Sequence, residues 1–396
     1  MNLRPVSGKG VKLSSVHLDA VRGFAALIVL IGHARVLFLS SMTGVPHVHS
    51  SITLAAANSK VAVPNLAAGA NSIGHEAVMV FFVLSGLLVG GSVLKQMKKN
   101  RWSWKDYLLK RMTRLWIVLI PALVLGAILD HAGMHMFSNP HSIYSAPPGQ
   151  GLVTTNLSRR YSPGILLGNL VFLQNRFVPT AGSNVALWSL TNEFWYYIAF
   201  PFLLLGFGGK IAIWKRAICA AAFAGILTGI GANASRLFLV WMLGAVVSAL
   251  PLKIPQPIAK WGTVLFGIIL SAAICWVKRN IVNIVAAEFS IALICACLLY
   301  LMLHQTQDAR NGIYSLVSTF TSKTSYTLYL VHVPILIFLC ACINNPWHIW
   351  PRTPAHVAIM LSACRLTVAL AFGFYLLFEA NTDHVRNFIT RKITRA

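Results

Sequence analysis

Long apolar runs, separated by shorter polar segments, dominate this chain. Ten of these runs approach the roughly 20 residues that an α-helix needs to cross a bilayer. They lie near 20–40, 76–94, 112–130, 185–207, 211–231, 235–251, 258–276, 282–303, 325–343 and 355–378. The pattern therefore predicts an all-α, polytopic membrane bundle of about ten transmembrane helices.

One further apolar run, GILLGNLVFL at 164–173, covers only about ten residues. A helix of that length is too short to cross the hydrocarbon core of a bilayer, which is about 30 Å thick. We therefore expect an interfacial or re-entrant helix there. This interpretation fixes the direction of every later span, because one extra crossing would invert them all.

Composition agrees with a membrane protein. The 396 residues are 57% hydrophobic and 11% charged, and the mean hydropathy is +0.68, which excludes a soluble globular protein. The formal net charge is +24, from 33 Lys and Arg against nine Asp and Glu. Most basic residues lie in short segments between apolar runs, where they set membrane topology; nucleic-acid binding is not expected.

The distribution of basic residues predicts the orientation in the membrane. With the N-terminus inside and 164–173 not crossing, inner segments hold about 22 Lys and Arg, and outer segments about nine. The predicted divisions are a cytoplasmic N-terminal segment at 1–17, a transmembrane domain at 18–380 and a basic cytoplasmic tail at 381–396. Two long outer segments, 41–74 and 131–184, are candidates for lids or acceptor-binding surfaces.

All seven cysteines lie within or at the edge of apolar segments. A thiol in that setting usually serves as a small buried hydrophobic group. The two C-x-C pairs lack the spacing of metal ligands, so no metal site is expected.

Candidate chemistry begins in the first span, HLDAVRGFAALIVLIGH, which contains Arg22 and His33. An offset of 11 residues is about three helical turns plus roughly 20°, so the two side chains share one face. The axial distance between them is about 16 Å, roughly half the hydrocarbon thickness. Because polar groups inside a membrane need partners or water, we expect both residues to line one cavity.

A carboxylate follows in the fourth span, LWSLTNEFWYY, where Ser189 and Glu193 lie on one helical face. Entering from outside, the helix reaches Glu193 after about 12 Å, close to the depth inferred for His33. A carboxylate beside an imidazole selects its tautomer and makes it a better base. The alternative is that Glu193 merely pairs with an Arg or His to hold two helices together.

The ninth span, SYTLYLVHVP, places Ser325, Tyr329 and His332 on one face. His332 on this apolar helix could be a satisfied interhelical hydrogen-bonding group rather than a functional one. Both interpretations stay open.

Other charged residues lie in or beside apolar runs. Glu288 and Arg365, in the eighth and tenth spans, could form a buried pair without chemistry. His75 and Glu76 begin the second span on the outer side, where they could contact an acceptor or face water.

The largest inner basic cluster ends in Arg111 and Arg114, which are three residues apart and point the same way. Arginine suits phosphate because its planar guanidinium forms two parallel hydrogen bonds. A phosphate-bearing cytosolic donor could therefore bind there. An anchor to anionic lipid explains the preceding lysines of this cluster equally well, but it explains the two arginines less well.

These segments together resemble membrane acyltransferase family 3, the integral-membrane O-acyltransferases that modify cell-surface carbohydrates. LDAVRGFAALIVLIGH resembles the opening helix with its Arg-x10-His motif, and VMVFFVLSGLLVG the second span. LLKRMTRLW resembles the R-x-x-R region, LWSLTNEFWYY the segment with a functional Glu, and SYTLYLVHVPI the late helix. The resemblance extends from about 18 to 380. Two departures are Ile117, where the family usually has Pro, and FEANTD after the last span.

The resemblance implies the substrates and the residues that bind them. The donor would be cytoplasmic acyl-CoA, with acetyl or another short acyl group, as a co-substrate rather than a tightly bound cofactor. Arg22, Arg111 and Arg114 would bind it. The acceptor would be a sugar hydroxyl of a cell-surface or exported glycan at the outer face of a bacterial inner membrane. The predicted acceptor-binding residues are Ser189, Trp188, His75, Glu76, Tyr329 and His332.

The resulting hypothesis makes His33 the general base for the acceptor hydroxyl, with Glu193 orienting it and Arg22 contacting the donor. One alternative is a transporter or flippase of a glycan or small molecule, since intramembrane Arg, His and Glu also form proton relays. A second alternative is an N-acyltransferase that acts on an amino sugar.

Overall fold

A computed structural model describes residues 12–40, 73–145, 157–208, 211–279, 283–305, 307 and 312–395. Helices account for nearly all regular structure in these ranges, and two isolated β-bridges join described residues to each other, Leu39 to Trp350 and Gln174 to Val178. The predicted all-α fold is therefore confirmed. Most of the predicted lid at 41–74, and residues 146–156 of the second outer segment, lie outside the described residues.

Thirteen α-helices occur in the described ranges, and we number them in chain order. They are α1 (Leu13–Phe38), α2 (Ile73–Ser85), α3 (Gly91–Lys98), α4 (Trp104–Met136), α5 (Pro163–Leu170), α6 (Leu187–Gly208), α7 (Ile213–Ile230), α8 (Ala232–Ala249), α9 (Gln256–Arg279), α10 (Ile284–Leu303), α11 (Ile313–Ile343), α12 (Pro354–Leu377) and α13 (Thr382–Arg395). A π-helical turn, Gly86–Gly90, joins α2 to α3 and makes one continuous span of them.

Every predicted span coincides with one of these helices. Nine helical segments in the described ranges are long and apolar enough to cross a membrane. The helix α6 is not among the nine, because Ser189, Asn192 and Glu193 lower the hydropathy of its first half. Its 22 residues still extend over about 33 Å, which matches the hydrocarbon thickness.

The short helix α5 confirms the interpretation of 164–173. It has eight residues and is therefore about 12 Å long, too short to cross. Counting α6 with the nine, the described helices predict ten crossings, which would place the start of α1 and the end of α12 on the same side of the membrane. That this side is cytoplasmic remains a prediction from the charge distribution.

The helix α1 packs along α11, and a glycine allows their close approach. A Cβ built on Gly23 would lie 2.0 Å from Oγ1 of Thr321, so a larger residue would push the helices apart. The contact brings the first span beside the late span over much of their length. Arg22 and His33 therefore both lie beside α11.

Glycines also bring the second span close to α8. A Cβ on Gly86 would lie 1.9 Å from the carbonyl oxygen of Trp241, and one on Gly244 would lie 1.8 Å from that of Val83. Neither position has room for a side chain. This contact fixes Ser85, the last residue of α2, against Trp241, whose Nε1 donates to the Ser85 hydroxyl at 3.1 Å.

A buried carboxylate ties the segment before α6 to α4. Asp130 accepts hydrogen bonds from the Tyr161 hydroxyl at 2.5 Å and from the Ser183 backbone N–H and hydroxyl at 2.8 Å each. Burial, together with the neighbouring Asp130, raises the pKa of Tyr161 above its usual range, which keeps its hydroxyl protonated as a donor. This cluster sets where α6 begins.

Candidate active site

A cavity of about 280 Å³ lies between α1, α2, α4, α6 and α11. Polar side chains from all five helices converge on it, and apolar side chains, mostly of the second span, line the rest. The polar lining residues are Arg22, Ser85, Arg111, Arg114, Ser189, Glu193, Tyr197, Ser325, Tyr326 and Tyr329. We refer to it as the arginine cavity.

Three arginines from two helices meet in this cavity. The Arg111 guanidinium lies 5.6 Å from the ring centroids of both Tyr107 and Tyr197, and that of Arg114 lies 6.0 Å from the Tyr326 ring. Such cation–π contacts hold the guanidinium planes without using their N–H groups. The buried Nε of Arg111 has no hydrogen-bond partner.

No described carboxylate forms an ion pair with the guanidinium groups of this cavity. Among the described residues, no Asp or Glu oxygen lies within 4.0 Å of Arg22, Arg111 or Arg114, and Glu193 is the single acidic residue that lines the cavity. The cavity is therefore positively charged and offers free N–H donors. The sequence prediction that Arg111 and Arg114 share a direction is confirmed, and Arg22 faces the same space.

Glu193 is held by hydroxyl groups. Its Oε1 accepts from the Ser85 hydroxyl at 2.8 Å and from the Tyr197 hydroxyl. The prediction that Glu193 orients His33 therefore needs correction, because the described hydrogen-bond partners of the two residues are different. The physical reason is the packing: the Ser189–Glu193 face of α6 points to the cavity and Ser85, whereas α1 packs on α11.

His33 instead pairs with the second histidine. Its Nδ1 lies 2.9 Å from Nε2 of His332, and the two ring centroids are 5.0 Å apart. His332 is fully buried, with 1% of its surface exposed, whereas His33 is half-buried. His332 was expected to be either functional or a simple interhelical hydrogen-bonding group, and it is at least the latter.

The hydrogen bonds of His332 assign the proton between the two rings. Nδ1 of His332 lies 2.8 Å from the carbonyl oxygen of Tyr329 and 3.0 Å from that of Leu328. A carbonyl can only accept, so this nitrogen must carry the proton. In neutral His332 the Nε2 atom is then an acceptor, and Nδ1 of His33 must donate to it. A neutral His33 consequently keeps its lone pair on Nε2.

The histidine pair lies beside the arginine cavity but not in its wall. Tyr329 lines the cavity, and its ring centroid is 5.8 Å from that of His332. The Tyr329 hydroxyl lies 2.6 Å from that of Ser189. The expectation that Arg22 and His33 line one cavity is thus met by Arg22 alone, because His33 is not among the lining residues and pairs with His332 beside Tyr329.

The outer residues His75 and Trp188 belong to a separate buried cluster. Nε2 of His75 lies 2.9 Å from Glu288, whose other oxygen lies 2.9 Å from Arg236. The His75 ring stacks on Trp188, and Glu76 is also buried. Of the two alternatives predicted for His75 and Glu76, facing water does not hold for the buried Glu76, whereas His75 is half-buried. None of these residues lines the arginine cavity.

Glu288 and Arg365 do not form the buried pair that the sequence left possible. The helix α10 packs against α2 and α8, so the carboxylate of Glu288 meets His75 and Arg236 instead. Arg365 lies exposed on α12, away from this cluster.

Several residues of the site were not singled out from the sequence. Ser85 and Tyr197 hold Glu193, and Tyr197 also contacts Arg111. Glu379 accepts from the Thr327 hydroxyl at 2.5 Å and thereby ties the end of α12 to α11. Because the chain has only nine Asp and Glu residues, a carboxylate directly after an apolar run, such as Glu379, could have been singled out from the sequence. No periodicity marks a single serine such as Ser85.

A second cavity, of about 610 Å³, lies on the opposite face of α6. The segment 172–177 and the helices α7 and α8 line it, together with Thr191, Asn192 and Trp195. It contains none of the predicted site residues. The two faces of α6 thus line different cavities, and Ser189, Glu193 and Tyr197 lie on the side of the arginine cavity.

Comparison with known proteins identifies the family. The acyltransferase domain of acyltransferase family 3 matches residues 16–376, nearly the whole chain. An uncharacterized protein from Haemophilus influenzae is 26% identical over 128 residues, which cover 32% of this chain. The chain spans about half the length of that curated relative, 47%. No solved structure matches. The match, which begins before Arg22 and includes every residue of the arginine cavity, shows that the chain belongs to acyltransferase family 3.

Proposed function

We propose that this integral-membrane acyltransferase moves a short acyl group from cytoplasmic acyl-CoA to a sugar hydroxyl of a cell-surface or exported glycan. His33 serves as the general base. The observation that supports this best is the hydrogen-bonded pair of His33 and His332, which leaves a lone pair on Nε2 of a half-buried imidazole. A base positioned in this way contributes about 10² to 10⁴ in rate.

The arginine cavity suits the donor. Acyl-CoA carries several phosphates, and Arg111 and Arg114 offer N–H groups that no described carboxylate occupies. Arg22, on α1, contacts either the phosphates or the thioester carbonyl, where its charge favours the developing oxyanion. The pantetheine arm extends from the arginines past Ser189 and Tyr329 toward the histidine pair.

The reaction needs no covalent enzyme intermediate. The acceptor oxygen attacks the thioester carbonyl carbon while its proton moves to Nε2 of His33. The C–S bond then breaks, and the CoA thiolate receives the proton from the His33 imidazolium. His332 acts as a positioning residue, because its Nε2 holds the Nδ1 proton of His33 throughout.

Glu193 acts on the donor side of the site in this proposal. Fixed by Ser85 and Tyr197, its carboxylate partly balances three arginines and orients Tyr197 beneath Arg111. It also limits how tightly the CoA product is held, since its charge opposes that of the phosphates.

A direct test uses the full-length protein in proteoliposomes with radiolabelled acetyl-CoA and purified glycan. Acyl transfer to the glycan, detected by mass spectrometry and released by mild alkali, supports an ester product. Label that resists mild alkali indicates an amide and overturns the O-acyl assignment. Glycan or small-molecule movement without consumption of acetyl-CoA indicates a transporter and overturns the proposal as a whole.

The base assignment has a matched histidine control. His33→Ala is expected to lose at least about 10²-fold in turnover. His135→Ala, at an exposed position near the end of α4, is expected to retain wild-type turnover. Equal turnover in both variants would remove His33 from the mechanism.

A further inference from the structure

A charged residue lies near the middle of the last spanning helix, on its outward face. Arg365 is the twelfth of the 24 residues of α12, so about 17 Å of helix precede it. That distance is about half the hydrocarbon thickness of a bilayer. The side chain is exposed at the surface of the bundle, and no hydrogen bond or ion pair joins it to another described residue.

The surface around Arg365 has the character of a lipid-facing surface. Leu361, Leu366 and Leu370 are 36%, 47% and 49% exposed and lie within five residues of Arg365 on the same helix. Large apolar side chains left exposed in this way normally contact acyl chains in a membrane protein. Arg365 is therefore a cation on an otherwise apolar membrane surface.

Such a position is costly unless something compensates the charge. Insertion scales rank Arg at the centre of a membrane helix among the most unfavourable residues. Snorkelling to the headgroups relieves this cost for Arg near helix ends, but Arg365 is central. A lipid phosphate at the membrane surface is thus a poor partner for it.

A second copy of this chain cannot supply the missing charge on this face. A symmetric contact through α12 would bring Arg365 opposite its own copy, and like charges repel. Among the described residues, no carboxylate lies on the outward face of a spanning helix near its middle; each is held inside the bundle or lies near a helix end. These residues are Asp19, Glu76, Asp106, Asp130, Glu193, Glu288, Glu379 and Asp383.

The same face of α12 has room for a closely packed helix. Ala358, Ser362, Ala369 and Gly373 are exposed and, with Arg365 between them, follow a spacing of four, three, four and four residues. A Cβ on Gly373 would meet no atom within 4 Å. Small residues at this spacing allow two membrane helices to approach closely.

From the unpaired charge of Arg365 and the small exposed residues around it, we infer that the outward face of α12 binds a transmembrane helix of a different protein. That helix has a carboxylate at mid-depth that pairs with Arg365. The inference concerns the outer surface of the bundle and is independent of the chemistry proposed for the arginine cavity.

The test measures energy transfer from the tryptophans of the full-length protein to a dansyl-labelled synthetic peptide in proteoliposomes. The peptide is a leucine–alanine transmembrane helix with one central Asp, and its control has Leu at that position. We expect the Asp peptide to bind about three- to tenfold more tightly than the Leu peptide. Arg365→Leu should abolish the difference, and Arg365→Lys should keep most of it.

Two further variants separate charge from shape. Arg365→Asp should reverse the preference, so that a peptide with a central Lys binds best. Gly373→Ile should weaken the binding of both peptides, because its larger side chain keeps the peptide helix away from α12 while the charge of Arg365 is unchanged. Thermal unfolding in detergent verifies that each variant is folded. Arg365→Leu should unfold at the wild-type temperature or above it, because it removes an unpaired charge.

Three outcomes would overturn the inference. The Asp and Leu peptides could bind the wild-type protein equally, or the preference for Asp could persist in Arg365→Leu. Native mass spectrometry could also show self-association that depends on Arg365 in the absence of any peptide. That third result would make the face an interface between two copies of this chain.

Discussion

Nδ1 of His33 lies 2.9 Å from Nε2 of His332, and two backbone carbonyls behind His332 leave one direction for the proton between them. The two residues are separated by 299 positions in sequence, on α1 and α11. Because of this contact, the buried His332 does more than join two helices: it selects the tautomer of His33.

His332→Ala should lower turnover by about 10²-fold while leaving the KM for acetyl-CoA unchanged, because it releases the tautomer of His33 without touching the donor cavity. His332→Gln should recover part of this loss, since its amide oxygen can accept the Nδ1 proton of His33. Steady-state kinetics on both variants checks this. An equal loss of turnover in His332→Ala and His332→Gln, or a rise in KM without a loss of turnover, would contradict a positioning role for His332.

Glu193→Gln should tighten the binding of acetyl-CoA by about three- to tenfold, because it removes a negative charge from a cavity with three arginines. Calorimetry measures this affinity. The pH at which turnover is half-maximal should not move in this variant, although it should move in His332→Ala. A shift of that pH in Glu193→Gln would restore the role as a partner of His33 that the sequence predicted.

Arg111→Gln and Arg114→Gln should each raise the KM for acetyl-CoA by about tenfold or more, because each variant loses one charge-assisted hydrogen bond to a phosphate. The same variants should be near wild type with acetyl-pantetheine, which lacks the nucleotide phosphates. Kinetics with the two donors separates phosphate contacts from general damage. An equal rise in KM with both donors would show that these arginines do not contact the phosphates.

Gly86→Ala should destabilise the protein by about 1 to 3 kcal/mol, since its Cβ would lie 1.9 Å from the carbonyl oxygen of Trp241. Gly225→Ala, on α7, is the matched control, because no atom lies within 4 Å of its Cβ. There the helix gains stability, by about 0.5 to 1 kcal/mol. Thermal unfolding in detergent should therefore give shifts of opposite sign, and shifts of the same sign would contradict the packing.

Asp130→Ala should lower the free energy of unfolding by about 2 to 5 kcal/mol, because it leaves the Tyr161 hydroxyl and two donors of Ser183 without their acceptor. Asp383→Ala removes an exposed carboxylate on α13 and should change it by less than about 0.5 kcal/mol. Unfolding midpoints in one detergent compare the two. An effect of similar size in both would show that the buried cluster is not a stability determinant.

The sequence by itself determined the helices and their order. Runs of about 20 apolar residues have few structures open to them in a bilayer, because every backbone N–H and C=O must be paired within the segment. The ten-residue run at 164–173 could be excluded as a crossing because a helix of that length is too short for the hydrocarbon core. Local helical geometry also predicted that Arg111 and Arg114 point the same way, as they do in the arginine cavity.

Only the tertiary structure decided which polar groups meet. Depth along a helix placed Glu193 near His33, but depth leaves open which neighbour each helix face contacts. Packing of α1 on α11 gave His33 its partner His332, while packing of α2 on α8 through glycines placed Ser85 against Glu193. These contacts join residues far apart in sequence, and helical periodicity contains no information about the rotation of one helix against another.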